Sequence, residues 1–236
     1  VKTNFKTELY PRLTMLTAEV QKTAGWYRAN QDYSAEGRAT RMQDAAKRLN
    51  YSANIADLRL AAQTLQDTVE AKYTAARTRL YPKASNPTEQ LAAELAAQRV
   101  LARDINEKNA GDLLKELGAT PARGIVVGEL KVRGVLPQSV LDAFEGEAAP
   151  ELQDAENRIT AAGTAARLVE EQLQALENTI ANPASSEGVD TDALNHVANF
   201  LEAYFSEDLG TEGPLTFQPI KTDKSYDIDP APATDN

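Results

Sequence analysis

A chain of 236 residues, 42% apolar and 25% charged, is long enough to bury a core, either as one domain or as two small ones. It contains no cysteine, which excludes disulfides, thiolate catalysis and cysteine-ligated zinc. Aromatic residues make up 6%, too few for a large β-sandwich, and much of the apolar share is alanine, which favours close-packed helix pairs. No apolar run is long enough to span a bilayer, and no basic-then-apolar leader opens the sequence, so no classical secretion signal is expected.

The net charge of −10 is unevenly spread. Residues 1–83 carry 14 Lys/Arg against 8 Asp/Glu, a net of +6, whereas residues 84–236 carry 11 against 27, a net of −16. Such polarity orients contacts between copies or faces an anionic partner with one end; two solvated faces of different sign explain it equally well.

Taken in order, residues 1–10 read as an arm leading into a helix from Pro11, with Leu13, Leu16, Val20 and Ala24 on one stripe and Gly25 weakening its continuation. Trp26, Tyr27 and Tyr33 then cluster in a turn-prone stretch. With Arg28 they suit a grip on a nucleic-acid base or a proline-rich peptide, or a plug between helices. Ser34 is a good N-cap. Met42, Ala45 and Leu49 open a second long apolar face, continued by Ile55, Leu58, Ala62, Leu65, Val69, Tyr73, Ala76 and Leu80. Asn50-Tyr51-Ser52 is a possible break in it.

The stretch 81–87 interrupts the helices. Asn86 then caps a new one, with Pro87 at its first position, Glu89 at its third, and Leu91, Leu95, Leu101 and Ile105 facing inward. A soft spot falls at 109–111, and Gly118 ends the short apolar face of Leu113, Leu114 and Leu117. In 119–146, Pro121 and Pro137 start two short helices that Gly134 and Gly146 stop; a hairpin through Ile125–Val127 and Val132 is the alternative. Two short helices at a tight turn suggest a helix-turn-helix, but Arg123, Lys131 and Arg133 are outnumbered by nearby acids.

The longest signal lies between Pro150 and Asn182. Leu152, Ala155, Ile159, Ala162, Ala166, Val169, Leu173, Leu176 and Ile180 repeat at alternating steps of three and four, a heptad seam that needs a partner of similar length. Its acidic edge at Glu156, Glu170 and Glu177 suits a solvated face, or pairing with Arg59 or Arg77. After a linker at 182–188, Asp190 or Thr191 caps a last helix with Leu201, Tyr204 and Phe205 on its apolar face. The tail, 206–236, has four prolines and a net charge of −5, a composition that stays disordered unless pinned. Leu215, Phe217, Ile220, Tyr226 and Ile228 are its anchors. The reading favoured is a tail laid across another subunit; the alternative is a tail folded back on its own bundle.

Catalytic, cofactor and metal signatures are absent from the sequence. His196 stands alone and off the apolar stripe, and the Ser185/Ser186, Asp190 and His196 grouping lacks a nucleophile elbow. No catalytic residue, cofactor or metal site is therefore expected.

The reading is all-α: an elongated helical bundle on two long antiparallel helices, with shorter helices and extended N- and C-terminal arms. By composition the chain divides into 1–83, 84–149, 150–205 and 206–236. In its Ala/Glu/Arg-rich helices, lack of cysteine and terminal arm it resembles the helical accessory and structural proteins of tailed-bacteriophage virions. That resemblance is one of general character and carries over no site residue. The expected function is a non-enzymatic structural or assembly subunit of a multi-copy complex, homo-oligomeric or built with other subunits, in a virion or the cytoplasm. Membrane and nucleic-acid partners are not expected. The alternatives are a scaffold or chaperone-like adaptor that binds a protein through the C-terminal helix, and a DNA-contacting protein using 119–146.

Overall fold

The computed structural model describes residues 5–184, 195, 199 and 217–227. Of the expected last helix only Asn195 and Asn199 are described, both helical; Leu201, Tyr204 and Phe205, the anchors Leu215 and Ile228, and His196 lie outside the described residues.

The chain is all-α among the described residues. Eight helices follow one another: α1 (Phe5–Ala29), α2 (Ala35–Arg48), α3 (Tyr51–Leu80), α4 (Pro87–Leu101), α5 (Ala110–Glu116), α6 (Pro121–Val132), α7 (Gln138–Ala148) and α8 (Pro150–Ala181). A 3-10 turn at Lys224–Asp227 closes the described segment of the tail. The hairpin alternative for 125–132 is replaced by α6.

Local signals set most of the boundaries. The Ser34 side chain accepts from the Gly37 N–H at 3.1 Å, and that of Asn86 accepts from the Glu89 N–H at 2.9 Å. Glu89 reaches one residue further back than a capping box requires, accepting from both the Ser85 N–H and its hydroxyl at 2.6 Å. Gly118 (φ +59°) and Gly134 (φ +71°) adopt the left-handed conformation just beyond α5 and α6. Asn50 (φ +65°) does the same between α2 and α3, which confirms the break there.

Three expectations fail at ends. Helix α1 begins before Pro11 and runs through Gly25 to Ala29. Pro11 is exposed, and buried Leu9 on one side and Leu13 on the other hold the turn on which the proline removes one hydrogen bond. Trp26 and Tyr27 are therefore helical. Helix α7 continues past Gly146 to Ala148, because Phe144 and Ala149 are buried on either side of the glycine.

Contacts divide the chain into two compact units, 1–68 with 161–236, and 69–160. The four segments read from composition follow chain order. The units do not, because the boundaries fall inside α3 and α8, two long helices that pair antiparallel: early α3 with late α8 in the first unit, late α3 with early α8 in the second.

In the first unit, α1 contributes Leu13, Leu16, Val20 and Ala24 to the core, α2 Met42, Ala45 and Leu49, and α3 Ile55, Leu58, Ala62 and Leu65, all as the periodicity predicted. Helix α8 buries Val169, Leu173, Leu176 and Ile180 from the predicted seam. It also buries Ala161, Ala165, Gln172 and Thr179, while Ala166 is only half-buried. Two adjacent stripes are thus covered, as when a helix meets more than one neighbour.

In the second unit, Ala76 and Leu80 of α3, Leu114 of α5, Val126 and Leu130 of α6, Leu141 and Phe144 of α7 and Leu152 of α8 share one core. Helix α4 enters it through Ala93, Ala97 and Val100. Of the predicted inward residues, Leu101 and Ile105 pack against this core, but Leu91, 59% exposed, and Leu95, 48% exposed, are turned out. The reason is packing: α4 lies against α6, and small residues at 93 and 97 allow the close approach that leucines would block.

Candidate functional site: a groove that receives the C-terminal segment

The arrangement with the most specific chemistry lies in the first unit, where residues 217–227 rest on α1, α2 and α3. The Arg12 guanidinium sits 5.5 Å from the centre of the Phe217 ring. That guanidinium is itself fixed by two hydrogen bonds to Asn54 Oδ1, at 2.8 and 2.6 Å, with Asn54 fully buried. Asp57 accepts from the Gln218 N–H at 2.8 Å, Asn50 Nδ2 donates to the Pro219 carbonyl at 2.9 Å, and the Lys221 N–H donates to the Leu49 carbonyl at 3.2 Å. Ile220 is buried between these polar clamps.

The segment ends in an aromatic socket. Tyr226 meets Trp26 edge-on at 5.4 Å and Tyr27 at 5.8 Å, and Trp26 and Tyr27 stand edge-to-face at 5.0 Å. The hydroxyls of Tyr27 and Tyr226 are 3.1 Å apart, and Arg48 donates to the Tyr226 hydroxyl at 3.0 Å. Arg48 also pairs with Asp223 at 2.9 Å. Asp223 accepts from the Ser225 hydroxyl at 2.6 Å and N–H at 3.0 Å, which shapes the 3-10 turn. Those Ser225 bonds, and then Arg48, hold the Asp223 carboxyl below its ordinary pKa. Burial, with the hydrogen bond to Tyr226, pushes the Tyr27 hydroxyl well above its usual range.

Phe217, Ile220 and Tyr226 were expected to reach another subunit. In the structure they are anchored on the chain's own helices, because the aromatic pair on α1 and the cation at the end of α2 offer a matching seat within the same chain. The Trp26/Tyr27 pair meets Tyr226 of the chain's own C-terminal segment, while Pro219 is held elsewhere, through its carbonyl, by Asn50. Tyr33 stands apart, stacked under Arg41 at 4.3 Å. Arg12, Arg48, Asn50 and Asp57 carry no sequence pattern that marks them as groove residues; the one local signal among them is the break at Asn50.

Elsewhere in this unit Arg59 on α3 binds Glu170 at 2.9 Å and Glu177 at 2.7 Å on α8, one of the pairings the acidic edge suggested. In the second unit Arg123 is buried. Its guanidinium donates to the carbonyls of Leu80 and Leu114, each at 3.1 Å, and lies 5.2 Å from the Phe144 ring centre. Arg133 pairs with Glu129 at 3.0 Å. Two of the three basic residues of 119–146 are thus committed within the fold. A cleft of about 750 Å³ in this unit is lined by Tyr73, Arg77, Tyr81 and Lys83 and the first turn of α6, with no carboxylate among its lining residues. The Tyr81 hydroxyl is turned from it to Glu145 at 2.7 Å.

No three His, Cys, Asp or Glu residues among the described residues stand close enough to hold a metal ion. No helix among the described residues is long and apolar enough to cross a membrane. No protein-family model, curated protein or solved structure matches the chain.

Proposed function

We propose that the protein is a non-enzymatic assembly component, a helical subunit of a multi-copy complex of the kind the tailed-phage resemblance suggests. The observation that carries this reading is the docked segment. Residues 217–227 are held by clamps on three helices more than 150 residues away in sequence, Asp57 to Gln218 and Asn50 to Pro219 among them. A terminal arm with its own anchors and a matching seat is a device for joining copies. The outward leucines of α4 add a second contact surface, since Leu91 and Leu95 stand one turn apart on the same face.

Light scattering on the full chain tests this reading. A particle of defined mass containing several copies is expected, alone or once a co-expressed partner is present. Leu91→Lys with Leu95→Lys should lower that mass while leaving thermal stability within about 0.5 kcal/mol, as exposed substitutions do. A monomer at every concentration, alone and in extracts of its source, would refute it.

A further inference from the structure

We infer that the groove between Arg12, Arg48, Asn50, Asp57 and the Trp26/Tyr27 pair is an exchange port: the seat for residues 217–227 of a second copy as well as of the same chain. The inference rests on the assembly reading and names the partner and contact that would serve it.

The occupant is identified by what sits there. The seat matches a segment with an aromatic at 217, an aliphatic at 220, an acid at 223 and a tyrosine at 226, each met by a complementary group. A second copy carries the same segment by definition, so the port needs no further evolution to accept it. Chain length permits it: 32 residues separate the end of the described α8 region at 184 from Phe217. Even with a helix through Asn195 and Asn199 shortening it, a stretch of that length reaches on the order of 60 Å, farther than the width of one domain of this size.

The contacts are also of an exchangeable kind. Asp223 and Arg48 are at the surface, the backbone clamps are few, and only Ile220 and Tyr226 are buried. Such a clasp opens without unfolding α1–α3. Tethering gives the chain's own segment an effective concentration of about millimolar, so the closed form prevails in dilute solution. Exchange takes over where copies are concentrated or held side by side, because the same bonds are then made between chains and the net cost in contacts is near zero.

Complementation between two full-fold variants tests this. One chain keeps its arm and loses its port, by Arg48→Glu with Asp57→Lys, both at or near the surface. The other keeps its port and loses its arm, by ending after Thr216 or, with the chain kept at full length, by Ile220→Asp with Tyr226→Asp. Trp26, the single tryptophan, reports on occupancy because Tyr226 lies 5.4 Å away. Each variant alone should show the fluorescence of an empty socket. Mixed, they should form a one-to-one species of twice the single-chain mass, and the Trp26 signal of the arm-less chain should return to the wild-type value. Separate species after mixing, with Trp26 unchanged at concentrations well above millimolar tethering equivalents, overturn the exchange port. If the wild-type particle keeps its mass when the arm is removed, the assembly reading survives and the port is overturned. If the mixed pair forms while the wild-type chain never exceeds a closed monomer, the port stands and the multi-copy reading falls.

Discussion

Replacing Arg123 separates a guanidinium that builds the fold from one that reads a partner. It bridges the last carbonyl of α3, at Leu80, and Leu114 near the end of α5. Both carbonyls lack intrahelical donors, and both sit at the negative ends of their helices. Burial lowers the guanidinium's pKa from its very high ordinary value, and it stays charged at neutral pH. Charge-assisted hydrogen bonds of this kind contribute about 1.5–3 kcal/mol each. Arg123→Met keeps most of the volume and the contact with Phe144 but removes both bonds, so the second unit should lose about 3–5 kcal/mol, the two charge-assisted bonds less the desolvation that burying the guanidinium costs. Arg123→Lys retains charge but one ammonium cannot span two carbonyls in the same way, so about half that loss is expected. With an m-value of roughly 2 kcal/mol/M, the methionine variant should move the urea midpoint down by about 1.5–2.5 M. A midpoint within experimental scatter of wild type would refute the reasoning. So would equal losses for the methionine and lysine variants, which would place the effect in packing.

Other perturbations follow from the same geometry. Arg59→Ala breaks a half-exposed bridge to Glu170 and Glu177, so the loss should be about 1 kcal/mol at low salt and smaller in 1 M NaCl; an effect indifferent to salt would argue against an electrostatic origin. Asn50→Gly keeps the left-handed turn but drops the bond to Pro219. It should leave the melting of α1–α3 nearly unchanged while altering Trp26 fluorescence, whereas Asn50→Ala should also cost about 1 kcal/mol of backbone strain. Tyr51, fully buried and 2.9 Å from the Thr23 hydroxyl, has its pKa pushed up to about 12 by burial. The folded form holds that proton more tightly than the unfolded chain, so the contribution is complete below pH 10. It declines by up to about 1.4 kcal/mol per unit as pH rises from 10 towards 12, and Tyr51→Phe should flatten the urea-midpoint profile there. For Asp223 the sign is reversed. Its pKa is depressed, so the clasp should hold above pH 4 and release as pH falls below it, read by Trp26 fluorescence; a socket signal constant from pH 7 to pH 2 would exclude the Asp223 contacts as its closure.

What the amino-acid order determined by itself was the local geometry: among the described residues, the helices α1–α8, with starts at Ser34, Asn86 with Pro87, Pro121 and Pro150, and stops at Asn50, Gly118 and Gly134. These signals act within one turn of chain, where backbone sterics and a single side-chain bond suffice. The apolar faces of α1 and α3 were legible for a related reason: each has one dominant stripe, and only one side of the helix gains by burial; in α8 the heptad seam was legible and the second buried stripe beside it was not. Tertiary structure decided the rest. Helix α4 has two stripes, Leu91/Leu95 and Ala93/Ala97/Val100, and hydrophobicity favours the leucines; the close approach of α6 selects the alanines. Continuation of α1 across Pro11 and Gly25, the inward turn of Arg123 and the seat for Tyr226 likewise depend on neighbours brought together from distant parts of the chain. A residue's own chemistry states what it will bond to, and only the folded chain states which partner is within reach.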